Sequence, residues 1–339
     1  MTGTSFLHST PYGVCMTGVG AKAPDTVIAN ADLTALVDTS DEWIVTRTGI
    51  SNRHVLAGDE RLADLCIESA HQALVMAGLE GKDIDLVIAC TTSPDERFPA
   101  LAARIQHGVG CHGAGFDISL ACSGFAVGVI TAEQFLRTGA FKKALVVGAD
   151  ALSRVMDWTD RNTCVLFGDG AGAVVLEATP PEQNGLLAFD LNIDGAKGSE
   201  LQAQNNLNNC PLVPAATPRS PYVEMNGREV FKFAVGKVPE TIMTTLERAN
   251  ATVEDIDYLI LHQANMRIMD AMTEKMGIPP EKMIINLQQY GNTSGASIPL
   301  ALNEAVRDGR IQPGHRLMLC GFGGGLAWAS SYLRWGRQG

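Results

Sequence analysis

The stretch Phe116-Asp117-Ile118-Ser119-Leu120-Ala121-Cys122-Ser123-Gly124-Phe125-Ala126 lies at a change of pattern that organises the chain. Apolar and polar residues alternate up to Leu120, which predicts a short strand. The pattern breaks at Cys122-Ser123-Gly124 and continues with helical spacing to Leu136, ending near Gly139. Free N–H groups and the helix dipole at such a junction favour a thiolate. Cys122 is therefore a candidate nucleophile, and the alternative is a small buried cysteine in a tight turn.

A second copy of this unit follows further along the chain. Four pairs of landmarks recur 170 to 173 residues apart: Asp85 and Asp257, Ser123 and Ser294, Arg137 and Arg307, Gly148 and Gly321. Offsets this constant predict two copies of one α/β unit, and chance matching of apolar strands is the alternative. We expect an N-terminal half, residues 1–180, and a C-terminal half, residues 181–339.

The repeat brings distant residues into one predicted pocket. Cys122 precedes the helix of the first copy, and Asn292-Thr293 precedes the equivalent helix of the second. His262 ends the strand that corresponds to the one ending at Cys90. Open α/β sheets bind ligands at the carboxyl ends of their strands, so we expect the cysteine, the histidine and the asparagine to meet there. Taken singly, His262 could be a core histidine and Asn292 an N-cap or turn residue.

Composition restricts the classes of partner and site. The net charge of −11 argues against nucleic acid as the main partner, and an acidic protein partner would need a local basic patch. The eight cysteines show no Cys-x-x-Cys pair and no zinc spacing, so we expect no metal site and reduced thiols in the cytoplasm. The sequence has no signal peptide pattern and no apolar run of about 20 residues, so no membrane span is expected.

Three further segments carry predictions about local structure. Residues 164–176 are expected to form two strand pieces joined by a tight turn at Gly168–Gly172. Residues 195–221, with several prolines, are expected to form an irregular loop. Met225–Val238 is expected to form a helix that carries Arg228 and Lys232 on one face.

Four motifs taken together resemble β-ketoacyl-ACP synthase III, the initiating condensing enzyme of type II fatty-acid synthesis. They are Ala121–Phe125, His262–Ile268, Tyr290–Ser297 and Gly321–Trp328. The likeness runs from about Val14 to Trp335. It implies the α/β thiolase-like fold, in which two duplicated halves form a five-layer αβαβα sandwich.

The resemblance implies a reaction without a cofactor. Cys122 would take an acyl group from a short acyl-CoA, with acetyl-CoA expected, and malonyl-ACP would then lose CO₂ and attack the acyl-cysteine. His262 through its ring N–H and Asn292 through its amide would stabilise the charge on the thioester oxygen. The backbone N–H groups of Cys122 and Gly324 would form the oxyanion hole, with Phe322 as a gate.

The resemblance also implies binding surfaces for both substrates and a homodimer. The residues expected to bind CoA are Trp43, Arg47, Arg161, Phe231 and Asn265. Arg267 is expected to dock the acyl carrier protein, and Lys232 and Arg228 could extend that basic patch or form only a solvated helix face. Phe98 is expected to reach the acyl pocket of the dimer partner.

Two other functions fit the same sequence. One is a related CoA-dependent condensing enzyme, of thiolase type or of secondary metabolism; a thiolase would need a second cysteine base near the C-terminal glycine loop, and Cys320 precedes that loop. The other is an inactive homologue that serves as an interaction subunit, which the intact Cys122, His262 and Asn292 disfavour. Ser123, Gly295 and Arg228 depart from the family pattern and leave the acyl primer open.

Overall fold

The computed structural model describes residues 10–204, 210–214, 217 and 219–337. The strands are β1 (Gly13–Lys22), β2 (Val27–Ala29), β3 (Asn52–His54), β4 (Leu86–Cys90), β5 (Ala114–Ile118), β6 (Lys143–Ala151), β7 (Asp169–Thr179), β8 (Leu186–Ile193), β9 (Leu201–Ala203), β10 (Val223–Met225), β11 (Tyr258–Leu261), β12 (Arg316–Gly323) and β13 (Ala327–Arg334). The α-helices are α1 (Asn30–Leu33), α2 (Asp41–Thr48), α3 (Leu62–Ala77), α4 (Leu101–Gly108), α5 (Gly124–Arg137), α6 (Gly227–Arg248), α7 (Met266–Met276), α8 (Leu287–Tyr290) and α9 (Ser297–Arg307).

Two main sheets divide the chain between β7 and β8. The first sheet has the order β1-β7-β6-β4-β5, and the second has the order β11-β12-β13-β8. β4 is parallel to β5 and β6, and β11 is parallel to β12, while the other neighbours are antiparallel. All strands of the first sheet precede residue 180 in the sequence, and all strands of the second sheet follow it. We therefore propose residues 1–180 and 181–339 as the two halves.

Alternating side chains divide the interior into layers. In β4, Val87 belongs to the core under α3 and α4, whereas Ile88 belongs to the core that also holds α5 and α9. In β12, Leu319 faces that same central core, and Met318 faces the core formed with α6 and α7. Both sheets are thus covered by helices on both faces, which explains their nearly continuous apolar strands. The predicted five-layer αβαβα sandwich is confirmed.

The structural repeat has a different register from the predicted one near the site. Short 3-10 turns span Ala121–Ser123 and Ser294–Ala296, and the helices α5 and α9 follow them directly. Their starts are 294 − 121 = 173 and 297 − 124 = 173 residues apart. Cys122 therefore corresponds to Gly295, and the predicted pairing of Ser123 with Ser294 is wrong. The Ser-Gly pair shared by both segments produced a slip of two residues.

The predicted turn at Gly168–Gly172 is also wrong, because Gly170 and Gly172 lie inside β7. An added Cβ on Gly172 would lie 2.7 Å from the Cβ of Pro299, and one on Gly170 would lie 3.0 Å from Leu300 Cδ1. These glycines let α9 pack directly onto the strand. Residues 164–166 form a turn instead of the predicted strand.

The predicted irregular loop at 195–221 is partly ordered. A 3-10 segment spans Gly195–Glu200, and β9 pairs with β10 as an antiparallel ribbon. Residues 205–209, 215, 216 and 218 of this prediction lie outside the described residues.

The helix α6 ends at Arg248, ten residues beyond its predicted end at Val238 (248 − 238 = 10). It contains Pro239. A proline lacks the N–H that would bond the carbonyl four residues earlier. That carbonyl, of Val235, accepts a hydrogen bond from Lys275 Nζ at 3.0 Å, so α7 replaces the missing donor.

Candidate active site

A cavity of about 260 Å³ lies between the two halves at the ends of the strands. Cys122, His262 and Asn292 all line it, together with Phe322, Gly323 and Arg47. The three residues expected to meet are therefore in one pocket. A wider depression of about 580 Å³ on the outer side of α3 lacks a cysteine or serine nucleophile among its lining residues.

Cys122 sits in the 3-10 turn that leads into α5, and it is buried. Burial raises the pKa of its thiol to about 12, and the negative charge of Asp150 adds to that effect. Hydrogen bonds from the Ser294 side chain and from the backbone N–H groups of Cys122 and Gly324 act in the opposite direction. The resting group at neutral pH is a thiol, so the expectation of a resting thiolate is wrong. The oxyanion-hole role of these two N–H groups stays a prediction.

His262 directly follows β11, and its backbone N–H bonds to the carbonyl of Cys320 at 2.8 Å. Burial lowers the pKa of the ring to about 3, so the imidazole is neutral. The Phe322 ring lies edge-on to it, with centroids 5.3 Å apart. Phe322 therefore lies beside His262, and its role as a gate stays a prediction.

A buried serine sets which ring nitrogen of His262 carries the proton. Ser297 Oγ lies 2.7 Å from His262 Nδ1, accepts from the N–H of Gln263 at 3.3 Å and donates to the carbonyl of Ser294 at 2.8 Å. A hydroxyl has only one proton, so in this network Nδ1 must be the donor to Ser297. Nε2 then carries the lone pair. The resting arrangement therefore differs from the prediction that this ring directs an N–H to the substrate. A donating Nε2–H would require Ser297 to turn its proton to Nδ1.

Asn292 is held by the segment that precedes β7. Its backbone N–H donates to Leu166 at 2.8 Å, and its carbonyl accepts from Gly168 at 3.0 Å. Its side-chain Oδ1 accepts from the N–H of Ser294 at 3.0 Å, which is an Asx turn and not a helix cap. Because the oxygen is used in this way, the Nδ2 group is left to donate into the cavity.

A cationic and aromatic group lies near the mouth of the cavity. Trp43 on α2 has the guanidinium carbons of Arg47 and Arg161 at 4.8 and 4.7 Å from its ring centroid. Arg47, Asn265 and Phe231 line the cavity itself. Asn265 also caps α7 through Arg267 N–H at 2.9 Å, and its Nδ2 donates to Arg47 O at 3.2 Å, so both ends of this amide are engaged.

The residues expected to bind a carrier protein lie around the same mouth. Arg267 lines the cavity, whereas Arg228 and Lys232 are exposed on α6 outside it. Lys232 forms an ion pair with Glu229 at 2.5 Å. Phe98 is 85% exposed and is absent from the described lining of this chain's own cavity.

Several residues at the site were missed by sequence reasoning. Ser294 donates its N–H to Asn292, Ser297 bonds to the ring of His262, and Gln263 donates its N–H to Ser297. Leu201 and Met225 of the β9–β10 ribbon line the cavity. The two serines lie in the quoted motif around Asn292, which could have drawn attention to them. The ribbon gave no such signal, because its strands flank the long segment predicted as a loop.

Comparisons with known proteins agree over almost the whole chain. A family model for 3-oxoacyl-[acyl-carrier-protein] synthase III matches residues 116–195, and the model for its C-terminal part matches residues 246–335. The β-ketoacyl-[acyl-carrier-protein] synthase III of Thermosynechococcus vestitus is 50% identical over 96% of this chain and 99% of that protein.

Solved structures give the same result for the fold. The synthase III from Thermus thermophilus aligns with a TM-score of 0.89 and 41% identity, over 96% of this chain and all of that one. The priming β-ketosynthase of the R1128 polyketide pathway aligns with a TM-score of 0.89 and 32% identity, over 98% and 99%. Within the described ranges, no helix is both long and apolar enough to cross a membrane.

Proposed function

This chain belongs to the β-ketoacyl-[acyl-carrier-protein] synthase III family, and from that premise we propose how its own residues divide the reaction. The enzyme is an acyltransferase that initiates fatty-acid synthesis. Acyl-CoA, malonyl-ACP and one proton give 3-oxoacyl-ACP, CO₂ and CoA. We propose acetyl-CoA as the primer and no cofactor, because substrates and side chains account for every bond and proton transfer.

Acyl transfer begins at the thiol of Cys122. The lone pair on His262 Nε2 takes the thiol proton as the sulfur attacks the thioester carbon, and the ring returns that proton to the departing CoA sulfur. The backbone N–H groups of Cys122 and Gly324 stabilise the tetrahedral oxyanion. Support for this step comes from the shared cavity of Cys122 and His262 and from the lone pair that the Ser297 contact leaves on His262 Nε2.

Condensation uses the amide of Asn292. Loss of CO₂ from malonyl-ACP places negative charge on the thioester oxygen, and Asn292 Nδ2 donates to it. His262 adds a second donor when its ring carries the proton on Nε2. In that tautomer the Ser297 hydroxyl turns to donate to Nδ1. The ring reaches this tautomer by exchanging its proton with water after CoA leaves. The carbanion attacks the acyl-cysteine, and the released thiolate regains a proton from solvent.

Substrate binding follows the groups at the mouth. Trp43 offers a flat face for adenine, and Arg47 and Arg161 offer charge for the phosphates. Phe231 and Asn265 border the pantetheine path, with Phe322 gating its inner end. Arg267 docks the acidic carrier protein, and the exposed Arg228 and Lys232 extend this basic patch.

We propose a homodimer formed through the first sheet. β5 is at its edge and pairs only with β4 among the described strands. An open strand edge is a template for another strand, and a partner chain would cover it. Phe98, an exposed aromatic residue, would then insert beside the partner's cavity. A Phe98→Arg change should shift light-scattering mass toward the monomer.

The single observation that carries the proposal is the meeting of Cys122, His262 and Asn292 in one buried cavity. Purified protein should be incubated with individual acyl-CoAs and the acylated residue identified by mass spectrometry. Acetyl-CoA should label Cys122, and malonyl-ACP should then yield acetoacetyl-ACP. If only other acyl-CoAs label the protein, the result would favour the alternative, a condensing enzyme of secondary metabolism. The 32% identity to a polyketide priming enzyme supports testing this alternative. No labelling at all would refute both.

A further inference from the structure

We propose that Asp150 is a positioning residue for decarboxylation, because its carboxylate ties the first half of the chain to the turn that orients Asn292. The proposal rests on the donor role assigned above to Asn292. Asp150 lies near the carboxyl end of β6 and is fully buried. Side chains at every second position share one face of a strand, so Asp150 faces, like Val146, the central core that also holds α5 and α9.

One carboxylate oxygen fixes Asp150 within the first half. Oδ1 accepts the N–H of Thr92 at 2.8 Å and the hydroxyl of Ser93 at 2.8 Å. The hydroxyls of Thr91 and Thr92 add contacts at 3.3 and 3.0 Å. Ser93 Oγ itself accepts the N–H of Ala151 at 2.7 Å, so its single proton is left for Asp150. This end of the carboxylate must therefore be an acceptor.

The other oxygen reaches the second half. Oδ2 accepts the N–H of Gly295 at 3.2 Å, across 145 residues of sequence. Gly295 follows Ser294, whose N–H donates to Asn292 Oδ1 at 3.0 Å and so orients the amide. β6 also leaves room for this turn, because a Cβ on Gly148 would lie 2.2 Å from the carbonyl oxygen of Gly295. Asp150 thus holds the turn from the side of the first sheet.

A carboxylate is required at this position because both of its oxygens must accept. A buried charge is costly unless hydrogen bonds compensate it, and five donors do so here. An asparagine of the same shape would carry an NH₂ group at one end. Since Thr92 and Ser93 need the oxygen end, that NH₂ group would face the N–H of Gly295. Two donors would then oppose each other, and the contact that holds the turn would be lost.

Asp150→Asn tests this role, because it keeps the shape of the side chain and removes the acceptor for Gly295. A misplacement of about 1 Å can cost about 100-fold in rate, so CO₂ release from malonyl-ACP by the acylated variant should fall about 100-fold. Acylation of Cys122 by acetyl-CoA should fall less than about tenfold, the effect of one ordinary hydrogen bond, because Cys122 lies in a separate turn. Both rates are expressed per folded enzyme.

Asp190→Asn is the matched control. Asp190 is 7% exposed and accepts the hydroxyl of Thr241 at 2.6 Å, but it lies in β8 and is absent from the described cavity lining. The control variant should unfold at a lower temperature and leave the ratio of the two rates unchanged. A merely structural role of Asp150 would give that same result in Asp150→Asn.

Asp150→Ser covers the case in which the asparagine variant does not fold. Its shorter side chain cannot span from the Thr92 N–H to the Gly295 N–H, so the same separation of the two rates is expected. Wild-type CO₂ release by either folded variant, or equal losses in both steps, would overturn the proposal. A wild-type protein that acetyl-CoA never acylates would instead refute the proposed function.

Discussion

Gly323 controls the space beside the nucleophile, and Gly323→Ala should move Cys122 away from its reactive position. A Cβ built on Gly323 would lie 2.8 Å from Cys122 Cβ and 3.0 Å from its sulfur. Carbon atoms in contact prefer about 3.5–4.0 Å. The cysteine must therefore shift by about 0.7 Å or more, taking the lower limit of 3.5 Å.

That displacement has a calculable effect on acyl transfer. A misplacement of about 1 Å can cost about 100-fold in rate, so about 0.7 Å corresponds to about 25-fold. The matching change in activation free energy is about 2 kcal/mol. The backbone of Gly323 does not have a positive φ, so an alanine there adds steric crowding without backbone strain.

The assay is the rate at which acetyl-CoA acylates Cys122, followed by quenched mass spectrometry. Gly236→Ala in α6 is the control, because no atom lies within 4 Å of its added Cβ. This control should acylate at the wild-type rate and unfold at the same or a higher temperature. If Gly323→Ala folds normally and also acylates at the wild-type rate, the position assigned to the sulfur is wrong.

Three other variants test separate parts of the site. Asn292→Asp keeps the oxygen that accepts from Ser294 but loses the Nδ2 donor, so CO₂ release from malonyl-ACP should fall about 10²–10³-fold while acylation changes less than threefold; equal losses in both steps would contradict this role. His262 has a folded-state pKa of about 3 and an ordinary unfolded value near 6.5, so the unfolded chain binds its proton first as pH falls. Urea unfolding should therefore show that wild type loses about 2 kcal/mol more than His262→Asn between pH 7.5 and pH 5, and parallel losses would refute the buried neutral ring. Trp43→Ala should raise KM for acetyl-CoA about tenfold but leave acetyl-N-acetylcysteamine unchanged, because only CoA carries adenine; equal effects on both donors would exclude adenine stacking.

The sequence was most informative where structure depends on local pattern. The strand and helix around Cys122 were predicted closely, since alternation and helical spacing act within a few residues. The repeat also predicted the layered fold, because each copy carries its own apolar strands. These signals do not require knowledge of distant contacts.

The errors arose where distant contacts decide. The glycines of β7 leave room for Pro299 and Leu300, which come more than 120 residues later in the chain. No local signal distinguishes such strand glycines from the glycines of a turn. The continuation of α6 past Pro239 depends on Lys275 from another helix. The proton position on His262 depends on Ser297, whose bonds are visible only in three dimensions. Burial likewise raised the thiol pKa that the helix terminus alone would lower.

The correspondence of Cys122 with Gly295 has a consequence for how such a site can be inherited. In a pair of identical subunits, one gene encodes both junctions, so every substitution appears twice. In this chain the two junctions are separate stretches of one gene. One junction can keep a nucleophilic side chain, while the other loses the side chain at that position and keeps the same backbone conformation. Duplication within a single chain thus allows the two ends of a symmetric scaffold to diverge independently.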